Sequence, residues 1–344
     1  MQFDQFESAA REMGNHPQDH GWRDFFRLVG YGLAASSAEL RRILERCHGD
    51  QPVHSATHLI SLIGIAIKTV RPDALPLIYR APSVKERLKL LEETIGEHGD
   101  DIRRLVSMRR NSFTGARRFL VPQAILSAFF RGHEGDGITF ADFGTGLGIL
   151  PRQLNCETLY RTFAPDLTWD EGIPRFRPIP LRSSLGVDRG PMPDLEWVRS
   201  CYGLSDYYDE LFSELTFTLD VLADEGGQVR FHEVDLVDDE ALTAFLRDNA
   251  VHAGNLSYVL YEISTAMRTK LVRTLREGLR PPGLLIVTEP HGELTRQGCD
   301  VLVYCRDRQD PYRVCAVSDG HFKGKVTRLE HYREFFDRHP MTFD

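Results

Sequence analysis

The sequence predicts an α/β protein: a Rossmann-like, doubly wound and mostly parallel sheet behind a helical N-terminal domain. Three observations predict it. Ile138 to Leu150 sets a β-prone apolar run, an acid and three alternate glycines ahead of a second apolar stretch, the layout of strand, tight turn and helix. Beyond it, β-prone runs alternate with helical stretches, as in successive βαβ units. Residues 1–132, by contrast, show helical spacing alone. The glycine-rich linker Gly132 to Gly137 divides a helical cap domain, 1–132, from a sheet domain, 133–344.

In the first part, Phe3–Met13, Trp22–Gly32 and Ser37–Cys47 read as helices, the last with Ser37 at its N-cap. His54–Val70 is strongly apolar and too long for a strand, so it is expected as a buried central helix. His54 and His58 lie one turn apart on it and are read as packing residues, because no third ligand for a metal follows at matching spacing. Ser83–Gly96 and Asp100–Met108 read as two amphipathic helices and Val121–Phe130 as another.

In the second part, Leu150–Phe163 continues as a helix from Pro151. A proline- and arginine-rich insert at about 164–182 is long enough to suggest a lid or pocket wall. The following strands are expected at Ser183–Asp188, Gln228–Asp235, Leu256–Ile263 and Leu284–His291, with a hairpin at Val301–Cys305 and Tyr312–Val317. Asp194–Ala223 and Thr265–Leu279 supply helices between them.

Composition is that of an ordinary globular protein, with no apolar run long enough for a bilayer and no signal-peptide pattern at Met1–Glu7, so a cytoplasmic location is expected. A net charge of −8 argues against a nucleic-acid partner. The six cysteines are scattered without a C-x-x-C pair and are expected as free thiols, with no metal site.

Open doubly wound sheets bind ligands beyond the carboxyl ends of their strands. Asp142, Asp188, Asp235, Tyr261, Glu262, Glu289 and His291 all fall at such predicted ends. The turn reads Asp142-x-Gly144-x-Gly146-x-Gly148, whereas a dinucleotide fold wants G-x-G-x-x-G with a pyrophosphate on the helix. An acid ahead of the glycines repels phosphate and suits an ammonium group. The pattern resembles motif I of the class I S-adenosylmethionine (SAM) methyltransferases, which implies SAM held by Asp142, Gly144, Thr145, Gly146 and Gly148. Asp188 is then the candidate for the ribose hydroxyls and Asp235 for the adenine amino group.

Most of the chain also resembles the family called domain of unknown function 2332, whose members look like SAM-dependent methyltransferases behind a helical region. The likeness runs through Val53–Tyr79, Arg109–Leu120, Asp142–Leu150, Leu185-Gly186-Val187-Asp188 with Pro191, and Asp194–Arg199. In the Arg109–Leu120 run, residues Ser112, Phe113 and Thr114 replace the family's Thr-Asn-Glu, leaving Arg117 in register.

The expected activity is methyl transfer to a small-molecule acceptor, as in specialised metabolism. His291, Glu262 and Tyr261 are the candidate bases. Arg117, Arg175, Arg177 and Glu289 are the candidate substrate contacts. Two alternatives stay open: a non-methyl-transfer elimination or cyclisation that expels an anion, with or without a partner subunit, and a binding protein without turnover. A homodimer or a heteromeric partner is likewise open.

Overall fold

The computed structural model describes residues 3–15, 21–51, 54–133, 135–290, 298–306 and 308–343. Its centre is a nine-stranded sheet in the order β2-β9-β8-β7-β6-β5-β1-β3-β4. The strands are β1 Ile138–Phe143, β2 Thr168–Trp169, β3 Leu181–Asp188, β4 Val229–Glu233, β5 Ala253–Ser257, β6 Leu284–Pro290, β7 Cys299–Cys305, β8 Tyr312–Val317 and β9 Lys325–Arg328. From β4 through β3, β1 and β5 to β6 every pairing is parallel. The chain then turns back on itself through antiparallel β7, β8 and β9, and β2 closes that edge beside β9. This is the Rossmann-like, mostly parallel architecture the sequence predicts.

The helices are α1 Asp4–Gly14, α2 Arg23–Ala34, α3 Ala38–Asp50, α4 Ala56–Val70, α5 Ala74–Arg80, α6 Val84–Met108 and α7 Leu120–Phe129. There follow α8 Ile149–Gln153, α9 Glu157–Phe163, α10 Leu195–Cys201, α11 Asp206–Glu225, α12 Asp239–Asn249, α13 Thr265–Gly278 and α14 Tyr332–Arg338. Among the described residues no helix is long and apolar enough to cross a membrane.

The chain forms two compact units. The first comprises Met1–Phe113, Pro193–Phe212 and Tyr261–Ser264; the second comprises Thr114–Met192, Ser213–Leu260 and Thr265–Asp344. The first is helical throughout its long segment, as expected, and α4 buries Leu59, Ile60, Leu62, Ile63, Ile65 and Ile67 in its core. Ser37, Ser55 and Ser83 cap α3, α4 and α6, each accepting a backbone N–H of the first turn. Where the sequence suggests two helices between Ser83 and Met108, one continuous helix runs, begun by a Ser83–Glu86 capping box.

The boundary falls earlier in the chain than the glycine linker suggests. Helix α7 is buried along nearly its whole length and belongs with the sheet, where the Gln123 amide donates to the Arg177 carbonyl and its carbonyl accepts the Asn155 N–H. Two short segments from later in the chain join the first unit instead. One is the loop Tyr261–Ser264, stitched to the start of α4 by a Ser55 N–H to Glu262 carbonyl bond of 2.8 Å.

Candidate functional site

Strand order reverses at β1: the chain leaves it for β3 and β4 on one side, then crosses to β5 and β6 on the other. Ligands of doubly wound sheets sit at the carboxyl ends beside this switch. The glycine turn lies there. Gly144, Gly146 and Gly148 have φ of 75°, 54° and 64°, the left-handed region that residues with a Cβ avoid. Four of the turn's N–H groups are occupied internally: Gly144 and Thr145 donate to the Val187 carbonyl, Gly146 to Asp188 Oδ2 at 2.9 Å, and Gly148 to the Thr145 carbonyl. A phosphate would find no ring of waiting amides here, unlike the dinucleotide turn.

Asp142, the last but one residue of β1, is buried beneath this turn. Thr145 Oγ1 donates to its Oδ2 at 2.8 Å and Asn255 Nδ2 to its Oδ1 at 2.7 Å. Burial pushes its pKa up to about 6 against the pull of those two donors, and the Asp188 charge adds to the rise. Thr145 reaches this position because Gly186, paired with Asp142 across the β1/β3 ladder, has no side chain; a Cβ there would stand 2.9 Å from Thr145 Cγ2. Asn255, wholly buried on β5, also faces Asp142 in register. The sequence reading missed it because it placed this strand at Leu256–Ile263. Small and polar Gly254 and Asn255 dilute the apolar signal, while Gly254 has its own cause: a Cβ would press Phe143 at 2.9 Å.

Asp188 ends β3 and braces the turn from the other side, through Gly146 N–H and, with Oδ1, the N–H of Arg189 at 2.8 Å. Asp235 lies two residues past β4, held by the Val237 N–H and by the Arg189 guanidinium at 3.0 Å. The structure therefore brings Asp142, Gly144, Thr145, Gly146, Gly148, Asp188 and Asp235 to one edge as the sequence predicts. Beyond β5 the backbone bends sharply at Tyr258, whose φ of 60° is rare for an aromatic residue. Glu289 Oε1 fixes that bend, accepting the N–H groups of Val259 and Leu260 at 2.8 and 2.7 Å. The bend presses Val259 against Gly144, where any Cβ would overlap its Cγ2. Arg118 lies 4.0 Å over the Tyr258 ring and donates to the Gly320 carbonyl. Glu289 thus shapes a loop, where the sequence suggested a substrate contact.

The other expected substrate contacts are held by partners within the protein. Arg117, 8% exposed, donates Nε and Nη2 to the two carboxylate oxygens of Glu214 at 2.9 Å each and Nη1 to Asp166. Lys323 Nζ adds a 2.7 Å contact to Glu214. A guanidinium closed into such a network is not offered to an anion, so Arg117 is structural. Arg175 and Arg177 sit late in the insert. It runs as a short 3₁₀ turn Ala164–Asp166, strand β2 and a strap tied to the C-terminal segment by the Arg175 N–H to Thr342 carbonyl bond and by Arg177 Nε to Thr342 Oγ1. It then enters β3 at Leu181, and the Pro180 carbonyl accepts the Ile138 N–H. A segment entering a parallel strand stands at that strand's amino end, opposite the ligand edge.

Tyr261 and Glu262, expected within a strand, instead belong to a 3₁₀ turn and group with the first unit. There Asn111 Nδ2 donates to the Tyr261 hydroxyl at 3.2 Å, and His58 Nδ1 lies 3.5 Å from Glu262 Oε1. The His54 and His58 rings are 4.6 Å apart. His58 is fully buried, and desolvation, then the neighbouring His54 and Arg110, keeps its pKa well below the ordinary imidazole range. It therefore does more than fill space: it is a neutral imidazole facing a carboxylate. His291 lies outside the described residues.

These features gather a candidate ligand site at the switch point of a doubly wound sheet. No family model matches the chain, so the resemblance to domain of unknown function 2332 rests on motifs alone, and no curated protein matches it in sequence. Among solved structures it is similar to the rRNA methyltransferase aviRa from Streptomyces viridochromogenes, at 18% identity over 53% of this chain and 76% of that one, with a TM-score of 0.29. It is also similar to an O-methyltransferase family protein from Burkholderia thailandensis, at 15% identity over 70% of this chain and 56% of that one, with a TM-score of 0.31. The functional reading rests on the chain's own residues.

Proposed function

We propose that this protein is a SAM-dependent methyltransferase acting on a small-molecule acceptor. The observation that carries this reading is a glycine turn that spends four of its own N–H groups internally and whose flanks are carboxylates: Asp142 below, Asp188 beside it and Asp235 beyond. Such a turn disfavours a pyrophosphate and favours a ligand that presents positive charge and hydroxyls, lying against bare backbone. When bound, SAM supplies a methyl group on a sulfonium, ready for an in-line nucleophile.

The chain's residues have separable parts in this scheme. Asp142 sets the turn's shape through Thr145 and contributes negative potential toward the ammonium and sulfonium. Asp188, at the end of β3 beside the turn, is placed to accept the ribose hydroxyls, as a carboxylate can accept several hydrogen bonds. Asp235, beside Arg189, stands at the far end for the adenine. Methyl transfer then needs chiefly alignment and exclusion of water.

Isothermal titration with SAM and with its demethylated product tests the reading. The wild-type protein is expected to bind both, and Asp142→Ala and Asp188→Ala to weaken both more than about tenfold, the loss of one good charge-assisted contact. Unchanged affinity in both variants would refute the site, as would tighter binding of NAD than of SAM.

A further inference from the structure

We infer that the opposite, amino-terminal edge of the sheet holds a second site, one that takes a phosphorylated small molecule. A cavity of about 410 Å³ opens there, lined by Arg273, Arg276 and Glu277 of α13, by Gly283 just ahead of β6, and by Tyr304 and Arg306 at the end of β7. Its volume suits a small metabolite. Because β6 begins at Leu284 and β7, antiparallel to it, ends at Cys305 opposite, this cavity lies at the far end of the strands from the glycine turn.

Its charge is out of balance. Among the described residues no carboxylate stands within ion-pair distance of Arg273, Arg276 or Arg306, although Arg308, whose carbonyl accepts from Arg276, is paired with Glu334. Arg276 is held in place by stacking 5.1 Å over Tyr304 and by donating Nη2 to the Arg308 carbonyl at 3.0 Å, which leaves the rest of its fork unspent. Arg306 is steered by Gly283: a Cβ at that position would meet Arg306 Cγ at 3.0 Å, so the bare glycine lets the side chain's stem lie along the backbone. The lone lining carboxylate is Glu277. Three arginines lining one cavity against a single lining carboxylate, on a protein of net charge −8, leave a local positive excess that a multiply charged anion would correct. Phosphoryl oxygens match the guanidinium fork, whereas SAM, with its sulfonium, does not.

Titration with pyrophosphate as the probe, at low and at physiological salt, tests this site. Saturable binding is expected, weaker at higher salt because the arginines are largely exposed. The double variant Arg273→Gln/Arg306→Gln is expected to weaken it more than about tenfold, and Glu277→Gln to tighten it a few-fold through removal of the one repulsive charge. Both variants alter exposed side chains, so the fold is expected to hold, which circular dichroism checks. Absence of saturation, equal affinity in the double variant, or no tightening in Glu277→Gln overturns the inference. SAM binding by the double variant is expected to equal wild type, so the two sites stand or fall separately.

Discussion

The two edges of the sheet handle charge in opposite ways. At the carboxyl edge the carboxylates around the turn are engaged: Asp142 by Thr145 and Asn255, Asp188 by the turn, Asp235 by Arg189, and Glu289 by the loop after β5. Arg117, Glu214 and Lys323 close on one another at the same side, since Lys323 follows β8, whose end pairs with the start of β7. At the amino edge, Arg273, Arg276 and Arg306 line one cavity with Glu277, and none of the three has an ion-pair partner among the described residues. The lesson is that a preorganised polar site is one whose groups are already positioned by neutral or opposite partners, so a ligand has only to add contacts. A bare cluster of like charges waits for its counterion.

The contrast breaks most visibly if Arg117 is a ligand contact after all. Arg117→Met is expected to cost about 3–5 kcal/mol of stability, the usual penalty when one member of a buried ion pair is deleted. SAM affinity of the folded variant is expected to stay within twofold of wild type. Urea denaturation and calorimetry read the two effects, and a large affinity loss with little stability loss would return Arg117 to the ligand site.

Gly144→Ala probes how tightly the carboxyl edge is closed upon itself. Its φ of 75° costs an L-residue about 1–2 kcal/mol, and the overlap with Val259 adds about 1–3 kcal/mol more. In a Val259→Ala background only the backbone part is expected to remain. A double-mutant cycle measures this, and strict additivity of the two substitutions would show that Val259 does not press on the turn.

Asp142→Asn separates structure from binding. With a pKa near 6, Asp142 binds a proton in the folded state that the unfolded chain, at about 3.8, has already lost. Its ionisation therefore destabilises the fold progressively as pH rises from about 3.8 to 6, by at most about 3 kcal/mol above that window. An asparagine can still accept from Asn255 with Oδ1 and donate to the Thr145 hydroxyl with Nδ2. The variant is expected to gain about 1–3 kcal/mol at pH 7.5, by denaturant titration, while losing SAM affinity. A variant both less stable and unimpaired in binding would invert the assignment of charge to function.

Which of these residues could be read from the chain alone follows from how each is placed. The glycine turn, Asp142, Asp188 and Asp235 were legible because local spacing fixes them: an acid, alternate glycines, and acids closing apolar runs. Asn255 was not, because its role depends on register across from Asp142, which periodicity does not carry. The insert's arginines misled for a topological reason, since the exit into β3 at Leu181 commits the later part of the insert, with Arg175 and Arg177, to the amino end. Arg117 misled because the Glu214 that neutralises it lies 97 residues away. The helical first unit was legible in its elements, but the return of Tyr261–Ser264 to α4 is a tertiary event without a local mark.

The first unit extends the contrast to a third case, in which burial refuses charge outright. His58 faces Glu262 at 3.5 Å, His54 ring to ring at 4.6 Å, Tyr261 at 6.4 Å and, more remotely, Arg110. The folded-state pKa lies well below 6.5, so below pH 6.5 the unfolded chain takes up a proton that the folded chain declines. Stability from this group is complete above 6.5 and falls as pH drops below it, by up to about 1.4 kcal/mol per pH unit. Below about pH 6 the Asp142 linkage runs the other way, so the His58 slope is cleanest between 6.5 and 6 and in an Asp142→Asn background. Denaturant titrations in that background from pH 8 to 5 are expected to show the loss, and His58→Phe to flatten it. An unchanged slope in His58→Phe would mean that His58 does not carry it and that the other histidines whose pKa burial lowers, His232 and His252, do.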